Sequence, residues 1–79
     1  MKCTLLFFGT LADVVATHKR IVDDKQIVDT RSLQVFLTNQ YPELKKHNYL
    51  IAVNQIVSKD NIQITTGDEI ALLPPFAGG

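Results

Sequence analysis

Hydrophobic residues near both ends of the chain follow the pattern of β-strands. Residues 2–8 are rich in aliphatic and aromatic side chains and are followed by a glycine, which is typical of a strand and the turn after it. Residues 69–73 form a second apolar run, which begins after a turn at Thr66-Gly67-Asp68. The pattern therefore predicts one strand near each end of the chain.

The middle of the chain has the periodicity of one amphipathic helix. Its apolar residues recur at positions i, i+3, i+4 and i+8, namely Leu33, Phe36, Leu37 and Tyr41. Asp29 or Thr30 can cap its start, and Pro42 ends it, because proline lacks a backbone donor. The other side of this helix is polar, so the helix is predicted to lie on a sheet with one side in water.

Shorter elements fill the rest of the chain. A short helix is predicted over residues 10–16, where Thr10 and Asp13 have the spacing of a capping box. Three more strands are predicted from runs of apolar and β-branched residues, at 18–23, Tyr49–Asn54 and Ile56–Ser58. Residues 42–47 are predicted to form a turn between the long helix and the second of these strands.

The order of these elements is strand, short helix, strand, long helix and three strands. It indicates an α+β fold, a mixed sheet with the main helix on one face, and the β-grasp (ubiquitin-like) arrangement fits it. Residues 1–73 would form this domain, and residues 74–79 a flexible C-terminal tail. A chain of 79 residues has room for a single hydrophobic core.

Strand alternation predicts an uncovered apolar surface on this sheet. If the first and last strands are neighbours at its centre, one set of side chains faces the long helix, namely Leu5, Phe7, Ile70 and Leu72. The other set lies on the opposite face, with no predicted element to cover it, namely Leu6, Phe8, Ala71 and Leu73. Exposed apolar patches usually bind a partner, so these four are candidate partner-binding residues. The alternative is that a loop at residues 59–65 covers them.

The charge balance argues against nucleic acid and membrane surfaces as partners. Eight Lys and Arg residues cancel eight Asp and Glu residues, so no positive field would concentrate phosphates or anionic lipids. No apolar stretch approaches the roughly eighteen residues that a membrane-spanning helix needs. A signal peptide at the start of the chain is an alternative, but Gly9, Thr10 and Asp13 interrupt its apolar run.

Few side chains could bind a metal or act as nucleophiles. Cys3 is the only cysteine, so the chain cannot form an internal disulfide, and the cytoplasm is the expected location. Cys3 lies on the inward side of the first strand, where a thiol acts as a small inert apolar group. His18 and His47 lack the spacing of zinc ligands, and no metal site is predicted.

The most informative segment is Pro74-Pro75-Phe76-Ala77-Gly78-Gly79. The two prolines end the last strand and favour an extended continuation. Because glycine has no Cβ, Gly78 and Gly79 can pass through a channel too narrow for a side chain. Such a tail would deliver its terminal carboxylate into the active site of another protein. The alternative is ordinary fraying of a chain end.

This ending closely resembles that of the small, ubiquitin-like sulfur-carrier subunit of molybdopterin synthase, the MoaD family. The shared motif is Leu-Pro-Pro-x-x-Gly-Gly, within residues 67–79. Three further segments match the family as well, Leu6-Phe7-Phe8-Gly9, Tyr41-Pro42-Glu43-Leu44 and Ala52-Val53-Asn54-Gln55. The resemblance spans the whole chain. It implies a β-grasp fold, a role in molybdenum cofactor biosynthesis and a C-terminal thiocarboxylate.

The resemblance also implies the chemistry of a carrier. An E1-like (MoeB-like) adenylyltransferase would use ATP and Mg to adenylate Gly79, and a sulfurtransferase would supply the sulfur that replaces AMP. The thiocarboxylate of Gly79 would then give its sulfur to cyclic pyranopterin monophosphate in the large (MoaE-like) subunit of molybdopterin synthase. No cofactor would stay bound to this chain. It would be the sulfur-donating subunit, with the catalytic groups on the large subunit.

Residue roles follow from the same resemblance. Gly79 would be the acyl site. Tail insertion into the partner would involve Gly78, Ala77, Phe76 and Pro75, and the apolar docking face would include Phe8, Leu6, Leu73 and Ala71. Many relatives have a basic residue early in the first helix, where this chain has Ala12. Because Ala12 is uncharged, it cannot form an ion pair with a partner at that position.

Three other functions remain open. A ThiS-like sulfur carrier for thiamine thiazole synthesis would share the fold and the terminal glycines, but such carriers usually lack the Leu73-Pro74-Pro75 sequence. A ubiquitin-like protein modifier would be conjugated to lysines through Gly79, although such modifiers tend to have Arg where this chain has Ala77. A plain interaction domain would carry an inert tail.

Overall fold

The first and last strands are parallel neighbours at the centre of one sheet. The computed structural model describes residues 2–75. In that part of the chain the elements are, in order, β1 (Lys2–Phe7), α1 (Thr10–Val15), β2 (Lys19–Asp23), α2 (Thr30–Gln40), a 3₁₀ helix (Pro42–Lys46), β3 (Leu50–Val53), β4 (Ile56–Val57) and β5 (Glu69–Leu73). The strands are arranged β2-β1-β5-β3-β4, with β1 and β5 parallel and the other neighbours antiparallel. The predicted α+β, β-grasp fold is confirmed.

The hydrophobic core lies between the sheet and the helices. Across β1 and β5, Leu5 pairs with Ile70 and Phe7 pairs with Leu72, and these four side chains are at most 1% exposed. The predicted helix-facing set is therefore confirmed. The helices and loops add buried aliphatic residues to the same cluster, among them Leu11, Leu33, Leu37, Leu44 and Ile64. Burial of each such side chain contributes about 1.5–3 kcal/mol to folding.

A reciprocal cap fixes the start of α2. The Ser32 N–H donates to Asp29 Oδ1 (2.8 Å), and the Asp29 N–H donates to Ser32 Oγ (3.0 Å), which satisfies two backbone donors at once. Of the two caps that the sequence allowed, Asp29 is the observed one. The hydrogen bonds from Ser32 and from Asn61 lower the pKa of the Asp29 carboxyl, because they stabilise its charged form.

The loop between β4 and β5 is held against the start of α2. Asn61 Nδ2 donates to Asp29 Oδ2 (3.1 Å), and Asn61 Oδ1 accepts a hydrogen bond from the Arg31 N–H (3.0 Å). Farther along the loop, Ile64 is fully buried in the core. The loop therefore packs on the helix side of the sheet. The alternative that residues 59–65 cover the opposite face is wrong.

The short helix α1 begins without the predicted capping box. Its first residue is Thr10, but Gly9 is at the N-cap and no side chain caps the helix. Gly9 has φ 59° and ψ −136°, a conformation that residues with side chains rarely adopt. The Leu11 N–H donates to the Phe8 carbonyl (3.2 Å), and the Ala12 N–H donates to the Gly9 carbonyl (3.1 Å). The backbone turn at glycine therefore starts this helix, and the Thr10 hydroxyl does not.

Other boundaries differ from the sequence prediction by a few residues. Part of the predicted turn is a 3₁₀ helix, with Pro42 in its first turn and Leu44 buried in the core. Proline fits there because the first N–H groups of a helix have no intrahelical acceptor. β1 ends at Phe7, one residue earlier than predicted. No helix within residues 2–75 combines the length and the apolar composition needed to span a membrane.

Candidate functional site: the open sheet face and the start of the tail

The sheet face opposite α2 carries a continuous row of apolar side chains. Directly paired residues on neighbouring strands share a face. Leu6 of β1 pairs with Ala71 of β5. Ala71 in turn pairs with Ala52 of β3, which pairs with Val57 of β4. The row therefore crosses four of the strands.

A second set of apolar residues extends this row toward the end of the two central strands. Leu73 pairs with Leu50. The Phe8 N–H donates to the Leu72 carbonyl (3.1 Å), so Phe8 continues the alternation of β1 one residue past its end. The surface formed by both sets is named the open face, and it consists of Leu6, Phe8, Leu50, Ala52, Val57, Ala71 and Leu73.

All residues of the open face except Ala52, which is 3% exposed, are at least partly accessible in the described part of the chain. Phe8 is 45% exposed and Val57 is 49% exposed. Leu6, Ala71 and Leu73 are half-buried. The four residues that the alternation placed opposite the long helix therefore do share that face. Their role in binding a partner stays a prediction.

The tail leaves the sheet at one end of the open face. Pro74, the first residue after β5, lies so close to Gly9 that a Cβ atom built on Gly9 would be 3.0 Å from Pro74 Cγ. Pro74 is half-buried, and Pro75 is exposed. Because Gly9 directly follows Phe8, the start of the tail and the exposed Phe8 ring belong to the same end of the sheet.

A model of the ThiS family matches residues 5–79. The chain belongs to the ThiS family. A molybdopterin synthase sulfur carrier subunit of Mycobacterium tuberculosis is 30% identical over 82 aligned residues, which cover 100% of this chain and 99% of that protein.

Two solved structures share the fold of this ThiS family member. Small archaeal modifier protein 1 of Haloferax volcanii superposes with a TM-score of 0.80 at 20% identity, covering 95% of this chain and 98% of that one. A chain from the complex of subunits 1 and 2 of the molybdopterin-converting factor of Helicobacter pylori has a TM-score of 0.73 at 26% identity, with 100% of both chains covered. These likenesses agree with the fold that the strand order indicates.

Of the predicted tail of this ThiS family member, the structure describes the first two residues, Pro74 and Pro75. β5 ends at Leu73, the residue at which the domain was predicted to end, and Pro75 is exposed beyond it. The predictions for the last four residues fall outside the described residues, namely those for Phe76, Ala77, Gly78 and Gly79. Their roles stay predictions.

The thiol of this ThiS family member is buried far along the sheet from the tail. Cys3 is 2% exposed, and burial raises the pKa of its thiol, with a smaller contribution from the charge of Asp68. Cys3 is near the start of β1, whereas Pro74 follows the end of the parallel strand β5. A buried, protonated thiol is a poor nucleophile. Within residues 2–75, no three His, Cys, Asp or Glu side chains are arranged to hold a metal ion.

Sequence reasoning missed three residues of the open face, Leu50, Ala52 and Val57. Their strands were predicted, but the pairing of β3 with β5 was not. Asn54 holds that pairing in place, because its Nδ2 donates to Asp68 Oδ1 (3.0 Å) and its Oδ1 accepts from the Glu69 N–H (3.0 Å). The signal in the sequence is an Asn directly after β3 and an Asp directly before β5, and this combination is too common to assign a register.

Proposed function

We propose that this chain is the sulfur carrier subunit of a molybdopterin synthase. The observation that carries the proposal is the position of the tail, which leaves the sheet beside the uncovered open face. One partner can therefore bind the face and receive the tail at the same time. The Mycobacterium tuberculosis relative, which aligns over nearly its full length, is named a molybdopterin synthase sulfur carrier subunit, and this supports the choice of pathway.

The proposed partner of the open face is the large subunit of molybdopterin synthase. The Helicobacter pylori chain, 26% identical over its full length, comes from a complex of subunits 1 and 2 of the molybdopterin-converting factor. An exposed aromatic ring beside apolar neighbours is the usual anchor of such an interface, and Phe8 fits that description. The catalytic acid, the base and the substrate-binding groups would lie on the large subunit.

The reacting atom of this proposal is the carbonyl carbon of Gly79. A carboxylate is a poor acyl donor, so an E1-like adenylyltransferase first joins AMP from Mg-ATP to it and releases pyrophosphate. The persulfide of a sulfurtransferase then attacks the carbonyl carbon, and AMP leaves. A thiol reduces the resulting acyl disulfide, which releases the thiocarboxylate on Gly79 and leaves a disulfide on the sulfurtransferase. The tethered thiocarboxylate has a high effective concentration at its acceptor, cyclic pyranopterin monophosphate. Because a dithiolene contains two sulfur atoms, each product molecule requires two carrier chains that hold a thiocarboxylate.

The proposal is tested by intact-mass analysis of the full chain purified from its own cells. We expect a species in which one oxygen of Gly79 is replaced by sulfur. Oxidation of Met1 or Cys3 gives the same nominal mass change, so alkylation and fragment spectra must place the sulfur on Gly79. Cys3→Ala is the matched control, and it should keep the species. Persistent absence of the species, or full function of a chain without Gly79, would show that the proposal is wrong.

Copurified proteins distinguish the related functions. Capture of a molybdopterin synthase large subunit supports the proposal. Capture of a thiazole synthase instead assigns the chain to thiamine synthesis. High-molecular-weight conjugates on lysines identify it as a protein modifier.

A further inference from the structure

The strand β2 lies at one edge of the sheet, and its charge pattern is complementary to its own sequence read in reverse. We propose that β2 pairs in antiparallel orientation with β2 of a second copy of this chain, around a two-fold axis between the two Ile21 residues. The inference goes beyond the proposed function, because the pairing depends neither on the tail nor on sulfur chemistry.

The outer side of β2 has the backbone geometry that a further strand needs. In the described part of the chain, β2 has a neighbouring strand only on its β1 side. The Phe7 N–H donates to the His18 carbonyl (2.9 Å), which fixes the phase of the β1–β2 ladder. Because backbone groups alternate in direction along an antiparallel strand, Lys19, Ile21 and Asp23 direct their N–H and C=O groups away from β1.

The backbone of Lys19 agrees with this alternation. Its carbonyl accepts a hydrogen bond from the Thr17 hydroxyl (3.0 Å), and its N–H donates to the same oxygen (3.4 Å). Both groups therefore bond outside the β1 ladder. A carbonyl oxygen has two lone pairs, and the N–H bond is long, so a second strand can bond both groups.

The centre of the proposed interface is apolar. Ile21 is 57% exposed, and it pairs with Thr4 of β1, so both side chains are on the side of the open face. In a pairing centred on Ile21, the two isoleucine side chains lie directly opposite each other, with their Cβ atoms about 5.5 Å apart. Each covers part of the exposed surface of the other, which favours association.

The charges at the two ends of β2 select this register. β2 begins with Lys19 and ends with Asp23, and both residues are exposed. When the pairing is centred on Ile21, Lys19 of each copy lies opposite Asp23 of the other copy, so symmetry produces two oppositely charged pairs. A pairing centred on Lys19 or on Asp23 brings like charges together, which is destabilising. Lysine on an edge strand usually opposes association, but here it lies opposite a carboxylate.

The remaining charge of β2 is held by its own chain. Arg20 pairs with Leu5, so its side chain lies on the α2 side of the sheet. Its Nη1 donates to Tyr41 Oη (2.8 Å), and its guanidinium carbon is 5.5 Å from the centre of the Phe36 ring. These contacts hold the guanidinium group against α2, so the charge of Arg20 does not oppose the pairing.

The pairing leaves the open face uncovered. A second copy at the β2 edge extends the sheet in its own plane, so the open faces of both copies lie on the same side of one continuous sheet. Each copy can therefore still bind a partner through its own open face. One pair of short strands buries well under the roughly 1,200 Å² of a typical stable interface, so the dimer is weak.

Sedimentation equilibrium of the full chain tests the pairing at chain concentrations between about 0.05 and about 2 mM, the range suited to a weak dimer. We expect the weight-average mass to rise with concentration and to exceed about 1.5 times the monomer mass at about 2 mM, which corresponds to a dissociation constant of about 1 mM. A chain that remains monomeric at about 2 mM would overturn the proposal.

Charge reversal tests the register. Lys19→Asp and Asp23→Lys each place two like-charged pairs across the axis, so each variant alone should remain monomeric. An equimolar mixture of the two restores both opposite-charge pairs and should dimerise. Failure of the mixture to dimerise would contradict the register.

Lys59→Asp and Asp60→Lys are the matched controls. Both residues are exposed and follow β4, at the opposite edge of the sheet. These variants change the net charge as the β2 variants do, and each should still dimerise. Equal loss of dimers in the control variants and in the β2 variants would show that net charge is responsible and would overturn the proposal.

Nuclear magnetic resonance of the wild-type chain decides the matter if a variant does not fold. In the proposed register, Arg20 of one copy and Val22 of the other form a non-hydrogen-bonded pair, which brings their α-protons together. A mixture of isotope-labelled and unlabelled chains should therefore show an interchain nuclear Overhauser effect between these protons. Within one chain the two residues are about 6.8 Å apart along the strand. Dimers without this interchain effect would show that another surface pairs, and the proposal would be wrong.

Discussion

At the scale of single residues, the adjacent phenylalanines Phe7 and Phe8 have opposite environments. Phe7 is 1% exposed and belongs to the core, whereas Phe8 is 45% exposed on the open face. Truncating a buried phenylalanine costs about 3–5 kcal/mol of stability, while a surface substitution usually changes stability by about 0.5 kcal/mol or less. Binding can therefore be probed at Phe8 with little effect on the fold.

Phe8→Ala should weaken binding of the proposed large subunit by at least about tenfold, as expected for an aromatic anchor. Isothermal titration calorimetry measures the affinity, and urea denaturation checks that the free energy of unfolding is nearly unchanged. Val35→Ala is the matched control, because Val35 is 59% exposed on the outer side of α2. Equal weakening in both variants, or none in Phe8→Ala, would contradict the role of the open face.

At the scale of elements, the start of α2 shows how a helix and a distant loop stabilise each other. Asp29 caps the helix through Ser32 and also accepts a hydrogen bond from Asn61 of the β4–β5 loop. Both contacts favour the ionised carboxylate. The helix cap and the position of the loop should therefore weaken together in acid.

In the folded chain, the pKa of the Asp29 carboxyl lies below its ordinary value of 3.8. The unfolded chain therefore protonates this carboxyl more readily than the folded chain does. The stability from this group is fully present above the unfolded value and is lost as the pH falls through the lowered folded pKa. Asp68, whose pKa is lowered by hydrogen bonds from Thr65 and Asn54, acts in the same direction. We expect the free energy of unfolding to fall in acid, with a smaller fall in Asp29→Asn.

Urea denaturation between about pH 6 and about pH 2 checks this, the range over which such carboxylates take up protons. Asp29→Asn keeps an acceptor for the Ser32 N–H but cannot titrate, whereas Asp29→Ala loses the cap and should be less stable than Asp29→Asn at neutral pH. The same acid dependence in the wild type and Asp29→Asn would show that Asp29 does not contribute to it.

Most helices and strands could be predicted from residues that are neighbours in sequence. Features that depend on backbone conformation or on contacts between distant segments could not. Asp29 was found because a cap and its helix are neighbours in sequence. The cap of α1 was assigned wrongly to Thr10, because the turn is made instead by Gly9 in a conformation that the residue types alone do not reveal. The outer part of the open face was missed for another reason, since the pairing of β3 with β5 joins segments that are distant in sequence.

At the scale of the whole molecule, the zero net charge and the apolar open face favour binding through apolar contacts. The formal net charge is zero, so little long-range attraction guides the chain toward a partner. Its accessible apolar row lies beside the start of the tail. Docking should therefore depend on removing apolar surface from water.

The affinity for the large subunit should accordingly change less than about threefold between about 0.05 and about 0.5 M NaCl, because salt screens charges but not apolar contacts. Calorimetry at several temperatures should also give a negative heat-capacity change, the mark of buried apolar surface. Phe8→Ala should lower the affinity by the same factor at both salt concentrations. Lys19 pairs with Leu6 at the edge of the apolar row. If the affinity falls steeply with salt and Lys19→Ala removes that dependence, charged groups at the border control docking and the open face does not.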